Sequence, residues 1–453
     1  METLAMETPP TNSDYPNALG NGSSAEEEAR DPVPFPEPEY GGCIRVVALV
    51  EEGNTQTVWT RANPGGSDGE ESSDSSSDDD SDIEMDDDSF MDSDDEDEDK
   101  NFLVILEGGQ EAFWLHRVKR EAIYGKVWFA SVVRRRPNNP SACSLPNNDM
   151  VIWDVTGEKC AVKEMPWYKI RNIPHTEDPV KEAAALQHLQ RWHAANNNAE
   201  NNNTALQDSL NNNVVMPREV LSDGIFLYII TPYFVGGEIF NCLFDEGTGR
   251  RYRFGENESR YWMGHILNGI ETLQRAGICH RDLSIENFMI HENRCIVIDM
   301  GMCLRIPYCE QQQHRFLMRP QRPCGKWRSM SPEIGWHERK NAPFDGHAVD
   351  MWAVGTILFS MLVGFVHTNN AHEKALVLRL FREFSKGRVV DALRDNLPDR
   401  YRSFSPELLD LLQKMFWFDA RNRFCLHQVR SHDWMNGPRQ APQENRDPRL
   451  FPS

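Results

Sequence analysis

Apolar and polar positions change rhythm along this 453-residue chain. From Asn101 onward, short apolar runs between polar turns (FLVIL, FWLHRV, KVWFASVV) predict β-strands, and VIWDV and KCAVKEM predict more after the Pro/Asn-rich loop RRRPNNPSACSLPNND. Asp178-Pro179 has the form of a helix cap followed by proline at the first helical position, and Ala183, Leu186, Leu189 and Trp192 recur behind it at helical spacing. The low-complexity stretch HAANNNAENNNTALQDSLNNN interrupts the pattern before strands resume through FLYIITPYF. From about Glu258 helices dominate, one of them opened by Ser405-Pro406-Glu407. Strands with a single helix, then mostly helices, predict an α+β fold of two unequal lobes.

The rest of the chain reads differently. Residues 1–40 are rich in Pro, Ser, Asn and Glu and cannot build a core, whereas IRVVALVEEGNTQTVWTR over 44–61 predicts a short hairpin turning at Gly53-Asn54. Residues 67–99 are almost pure Asp, Glu and Ser, and self-repulsion predicts an unfolded run. The expected organisation is a disordered acidic tail over 1–100, a small lobe over 101–235 with loop insertions near 134–150 and 194–213, a larger lobe over 236–437, and a flexible tail over 438–453. The apolar run Met351 to His367 approaches the length of a membrane span, but Asp350 stands at its head and no basic flank follows, so a buried core helix is expected.

Charge sharpens that division. The chain carries 70 acidic and 48 basic residues, a formal −22; residues 1–100 hold 30 and 4 of them, a net of −26, which leaves 40 and 44, a net of +4, for the remainder. This is a near-neutral body with an acidic arm. Nucleic-acid binding by phosphate neutralisation is not expected of such a chain, and the apolar content beyond residue 100 excludes a wholly disordered one. No charged-then-apolar leader opens METLAMETPP, and ten scattered cysteines without a CxxC pair predict a reducing setting, cytoplasmic or nuclear, away from membranes.

The densest chemistry lies in His280-Arg281-Asp282-Leu283-Ser284-Ile285-Glu286-Asn287, followed twelve residues after Asn287 by Asp299-Met300-Gly301 behind the apolar strand CIVI. This resembles the catalytic loop and metal-binding triplet of eukaryotic protein kinases of the serine/threonine type. The resemblance runs over residues 113 to 435 and implies the bilobal kinase fold, with ATP and Mg²⁺ as cofactors and protein substrates. It implies Asp282 as the catalytic base, and Asn287 and Asp299 as metal ligands. Cys160-Ala161-Val162-Lys163 resembles the strand bearing the phosphate-binding lysine, with Glu182 as the ion-pair partner of Lys163 and Glu177 as a rival. Thr231 to Glu238 is similar to the hinge, where Phe234 would offer backbone groups to adenine and Glu238 would approach the ribose or a peptide. Gly125, Val127, Ala161 and Met289 complete the implied nucleotide site, Ser331-Pro332-Glu333 resembles the APE element with Arg423 as its partner, and Asp350-x-Trp352-x-x-Gly355 resembles the start of the central buried helix.

The departures from the family are informative. Aligning Gly125-Lys126-Val127 with the third glycine of the glycine-rich loop places Arg120 and Ala122 at the first two glycines and Tyr124 at the tip, so a loosened lid or loss of nucleotide binding are both open. Where the family usually has lysine, two residues after the catalytic Asp, stands Ser284; where it usually has a small hydroxyl residue, before the APE element, stands Lys326. In the family fold the two positions face one another, and the expectation is a swap: Lys326 supplies the charge and Ser284 the hydroxyl. Between Gly301 and Cys324 no Ser or Thr occurs and Tyr308 is the sole hydroxyl, so Arg281 pairs with a built-in acid such as Glu310, or Tyr308 is the switch, or Arg281 is satisfied structurally. Glu238 and Glu286 hint at substrates with arginine upstream of the target hydroxyl, while Cys303, Cys309 and Cys324 are either redox sites or ordinary buried thiols. The acidic arm is a solubilising segment, a binder of basic proteins, a target of acid-directed kinases, or a brake on its own kinase domain. A pseudokinase scaffold is the alternative to an active enzyme.

Overall fold

The computed structural model describes residues 29–51, 53–61, 101–137, 150–175, 177–196, 203–245, 250–309, 314–335, 342–364 and 371–442. The acidic run 67–99, Glu310 and most of the 134–150 insertion lie outside these residues. The chain divides into two compact units: one takes in Tyr40–Ile173 and Glu219–Tyr233, the other Met1–Glu39, Pro174–Arg218 and Phe234–Ser453.

The first unit is built on eight strands: β1 Gly41–Val47, β2 Thr57–Arg61, β3 Phe102–Leu106, β4 Glu111–Ala122, β5 Gly125–Arg135, β6 Met150–Pro166, β7 Glu219–Ser222 and β8 Phe226–Pro232, with a short helix, α1 Trp167–Asn172, after β6. Their order is β2-β6-β5-β4-β3-β1-β7-β8, and β8 pairs back onto β6, which closes seven strands into a ring with β2 attached outside. Closure removes exposed strand edges. Alternation along the strands sends Phe102, Val104, Phe113, Leu115, Trp128, Val162, Tyr228 and Ile230 into one core cluster, while Val58, Leu103, Trp114 and Trp153 form another.

Residues 41–61 thus belong to the sheet and not to a disordered tail. The expected hairpin is present only at its tip, where Asn54 N–H donates to Glu51 O beside Gly53 at φ +79° and Leu49 bridges Trp59. Beyond the tip the arms part: β1 pairs with β3 and β7, and β2 with β6. Arg45 explains the preference of β1. Its guanidinium lies 3.6 Å from the Phe102 ring centroid and donates at 3.1 Å to Glu164, which also accepts from Trp128 Nε1. A cation stacked on an aromatic ring and paired with a buried carboxylate holds the strand in place.

The second unit is mostly helical: α2 Pro179–Asn196, α3 Ala205–Asn212, α4 Ile239–Leu243, α5 Glu256–Arg275, α6 Pro332–Gly335, α7 Gly346–Val363, α8 Ala371–Ser385, α9 Val389–Asn396, α10 Pro398–Ser403, α11 Pro406–Met415 and α12 Leu426–Arg430. Short antiparallel pairs join them: β9 Phe244–Asp245 with β10 Arg250–Arg251, β11 Ile278–Cys279 with β14 Leu304–Arg305, β12 Phe288–His291 with β13 Arg294–Val297, and β15 Tyr308–Cys309 with β16 His314–Arg315. The described part of the 194–213 stretch, expected as a loop, is instead mostly helical: α2 continues to Asn196, and α3 starts where Thr204 accepts from Gln207 N–H and stops at Asn213 in the left-handed region. The Asn repeats conceal ordinary cap chemistry. Helix α7 is long and apolar enough to cross a membrane, yet 89% of it is buried, as the core-helix reading requires of a helix apolar on all sides. Arg423, fully buried, clamps the C-terminal part by pairing with Glu333 at 2.6 and 2.9 Å and donating to Ala348 O.

Residues 29–39, expected to be coreless, are strapped along this unit. Arg30 N–H donates to Leu317 O, Arg319 N–H donates back to Arg30 O, and Val33 N–H donates to Arg305 O. Arg319 pairs with Asp31 at 2.8 Å and Arg30 stacks 3.5 Å over Phe316. Further on, Phe35 meets His188 edge-on, and Glu39 and Gln187 exchange two hydrogen bonds on α2. The strap has no apolar periodicity because its contacts are backbone hydrogen bonds and isolated polar or aromatic side-chain pairs. Deleting residues 1–40 should therefore speed amide exchange of Arg319 and of the 304–319 region about tenfold or more, as an opened backbone hydrogen bond allows. Native-state exchange read by mass spectrometry checks this; unchanged protection would show the strap to be incidental.

Candidate active site

The catalytic loop is positioned from beneath. Strand β11 delivers His280, whose backbone N–H donates to Asp350 Oδ2 at 2.7 Å, and the Arg281 N–H donates to Asp350 Oδ1 at 2.9 Å. Asp350 is fully buried in the first turns of α7, and burial pushes its carboxyl up to about 6 against the pull of those hydrogen bonds. The His280 ring, also fully buried, contacts Ile298 O at 3.0 Å and, through Nδ1, the Asp282 N–H. Arg281 sits at φ +67° and Asp299 at φ +68°, a region that L-residues enter at a cost of order 1–3 kcal/mol and that concentrates at functional sites.

Around this frame the expected residues converge. Asn287 Nδ2 donates to Asp282 O at 2.7 Å, which leaves its amide oxygen as the ligand atom. Asp282 Oδ1 accepts the Lys326 backbone N–H at 3.1 Å. Lys326 Nζ donates to Ser284 Oγ at 2.8 Å and lies 3.1 Å from Glu286 Oε2. The contact that the swap requires is present, and Glu286, expected to face a substrate arginine, is instead engaged by Lys326. Burial pushes the Asp282 carboxyl up, as does the Asp299 charge, while His280 and Lys326 pull it down without cancelling the rise. Burial also opposes charge on Glu286, but Lys326 outweighs it and holds that carboxyl below the ordinary range. Gly325, at φ +86°, packs so closely that a Cβ would come within 2.7 Å of Arg281 O and 3.0 Å of Asp282 Oδ1. Its role next to the acid was not read from the sequence, though a glycine directly before Lys326 was the available signal.

Asp299 lies in a group with Glu177 and Glu182, their carboxylate oxygens all within 4.8 Å of one another. Helix α2 reaches this point because the Asp178 N–H donates to Gly301 O and the Asp178 side chain caps Val180 and Lys181. Asp299, Asn287 and these carboxylates are hard oxygen donors of the kind magnesium takes. The hinge-like residues are held in the same unit: Gly236 N–H donates to Ile290 O, Ile290 N–H donates to Gly237 O, and Glu238 bridges Met289. Phe234 is buried against His291, which leaves its backbone as the part available to a ligand.

In the strand unit, Val127 pairs with Lys163 and Phe129 with Ala161, so Val127, Ala161 and Lys163 share one face of the sheet, opposite Cys160 and Val162. The glycine-poor lid is a tight hairpin in which Ala122 pairs with Gly125 and only Ile123 and Tyr124 turn. Tyr124 stands at the turn, but its ring folds inward and is 3% exposed. Gly125 is required by packing, since a Cβ there would lie 2.0 Å from Glu164 O. Among the thiols, burial pushes Cys303 and Cys324 up, which makes them poor redox sites. The Arg281 side chain donates to Arg322 O at 2.7 Å.

Residues 152–435, more than half of the chain, match the family model described as Protein kinase domain. The match begins beyond the tight hairpin. Among similar proteins, "Serine/threonine-protein kinase SRK2I" of Arabidopsis thaliana is 25% identical over 258 residues, covering 56% of this chain and 64% of that protein. "Serine/threonine-protein kinase SAPK4" of Oryza sativa subsp. japonica is 24% identical over 265 residues, 57% of this chain and 67% of the relative. "Mitosis inducer protein kinase cdr2" of Schizosaccharomyces pombe is 28% identical over 225 residues, 49% of this chain and 25% of the relative. The chain thus spans about two thirds or less of the length of these relatives. It belongs to the protein kinase family.

Because the loop hangs on Asp350, Asp350→Asn faces a backbone donor with an amide donor and should lower stability by about 1–3 kcal/mol, the cost of one unsatisfied buried N–H. Urea unfolding of the full chain measures it; a midpoint within error of wild type would remove Asp350 from this role.

Proposed function

We propose that this chain transfers the ATP γ-phosphoryl group to serine and threonine hydroxyls of protein substrates. The observation that carries the reading is the fixed Asp282 carboxylate, bonded to the Lys326 N–H and flanked by Asn287 and the Lys326 ammonium. Asp282 would accept the substrate hydroxyl proton. Burial raises its affinity for protons, which makes it a better base than an exposed aspartate. Asn287 and Asp299 would hold magnesium, which supplies charge neutralisation at the phosphates when bound. Lys163, half-buried on β6, would hold the phosphates and pair with Glu182, with Val127 and Ala161 beside it against adenine. Phe234, through its backbone, Glu238 and Met289 would complete the nucleotide site. A reducing, cytoplasmic or nuclear setting suits the scattered cysteines.

Lys326 would deliver, from the segment before the APE-like element, the cation that the catalytic loop lacks at Ser284. A donor aimed at transition-state charge is typically worth about 10²–10³ in rate. The scaffold alternative rests on the tight, glycine-poor hairpin, which denies phosphates the open backbone of a glycine loop. Purified full chain with ATP, magnesium and a generic protein substrate separates the two. Wild type should turn over, Asp299→Asn should be silent, and Lys326→Met should lose about 10²–10³ in kcat with ATP affinity unchanged. Silence of all three, with ATP still raising the Tm, would favour the scaffold.

A further inference from the structure

A cavity of about 340 Å³ adjoins the catalytic loop. Its lining takes in Ser284, Glu286, Gly325 and Lys326 beside the catalytic loop, Trp327 and Arg328, and residues of α7 and α8. Its body is apolar: Ile357 and Phe359 from α7 and Val377 and Phe381 from α8, all buried, with Trp327 39% exposed at the rim. Ser360 is one of the few half-buried positions on α7, and it too lines the cavity. Gly325 and Lys326 belong both to this wall and to the surroundings of Asp282, so whatever enters the cavity lies close to the reacting hydroxyl. The side chain that enters the cavity therefore belongs to a residue near the acceptor in the substrate.

Charge decides what enters. The cavity's carboxylate, Glu286, is paired with Lys326, and Arg328 adds a second cation to the lining. Glu373, the other acid that acts on Arg328, is itself bound by Arg251. A substrate arginine would meet two cations and a carboxylate already engaged, and would lose its hydration against apolar walls. A leucine, methionine or phenylalanine would bury its surface there without that loss.

Building on the kinase reading above, we infer that this cavity selects substrates carrying a large apolar side chain near the phosphorylated serine or threonine, and excludes arginine from the same position. The cavity thus replaces, for that position, the basic preference expected from Glu286.

The test uses the full chain with ATP, magnesium and peptides bearing one serine, in which each neighbouring position is set in turn to Ala, Leu, Phe or Arg. At one position Leu or Phe should raise kcat/KM about tenfold or more over Ala, in line with burial of one apolar side chain, and Arg should lower it. Ser360→Glu, a surface-side change at the cavity wall, should move the preference at that position toward Arg, and Phe381→Ala should flatten it. Transfer without any apolar preference, or an Arg preference in wild type, overturns the cavity assignment and leaves the kinase reading intact. Transfer to no peptide and to no generic protein substrate defeats the kinase reading instead. Fluorescence anisotropy of labelled peptides then still decides the cavity: tighter binding of the Leu peptide, reversed by Ser360→Glu, supports it, and equal binding overturns it.

Discussion

The Asp350 carboxylate, buried at the head of α7, accepts the backbone N–H groups of His280 and Arg281, and the geometry of the catalytic loop follows from those two hydrogen bonds. With both amides fixed, Arg281 is held in a backbone region that disfavours side chains, Asp282 is turned toward Lys326, and Asn287 closes the loop onto the Asp282 carbonyl. A buried carboxylate is costly unless it is hydrogen-bonded. Here the two hydrogen bonds offset both the desolvation of the carboxylate and the strain of the loop: the carboxylate needs donors, and the loop needs an anchor that does not move. The anchor's own foundation is the all-round apolar α7, whose burial ties loop geometry to the main core of the helical unit.

A second layer of constraint is electrostatic. Lys326 touches three groups of one loop: Asp282 through its backbone, and Ser284 and Glu286 through its ammonium. That single residue places a positive charge beside the acid and pairs with the carboxylate of Glu286. The N-terminal strap acts on the same region by another route. Its hydrogen bonds to Arg305, Leu317 and Arg319 tie a segment that contains no serine or threonine to residues 29–39 of the same chain. Among the described residues, the Arg281 side chain donates to Arg322 O, and Glu310 lies outside them.

The parts legible in the sequence were those whose chemistry is contiguous or periodic. His280 to Asn287 and Asp299 declared themselves because a few charged residues at fixed spacing have little other use, and α7 because a long, mostly apolar run must be buried. The Lys326–Ser284 contact was legible only as a pair of anomalies; neither residue alone distinguishes itself from an ordinary surface side chain. Missed elements share a different physics. β1 and β2 lie beside an acidic run, and what places them is a long-range stack and ion pair, Arg45 with Phe102 and Glu164, which local periodicity cannot encode. The strap is held by backbone groups, which every sequence possesses. Helix α3 was hidden by its Asn repeats, whose cap geometry depends on neighbours and not on composition. The pairing of Glu286 with Lys326 could not be read locally, because the two residues stand forty positions apart in the chain.

The central claim is that Lys326 and Ser284 together do the work usually divided the other way between these two positions. Exchanging them tests it directly: single-turnover phosphoryl transfer by Lys326→Thr, by Ser284→Lys and by the double variant, each with saturating ATP. Both single changes should be slow, and the double variant should regain most of the wild-type rate, because the cation and the hydroxyl are each restored beside Asp282. A double variant slower than either single one, or a Lys326→Thr enzyme as fast as wild type, would contradict the account.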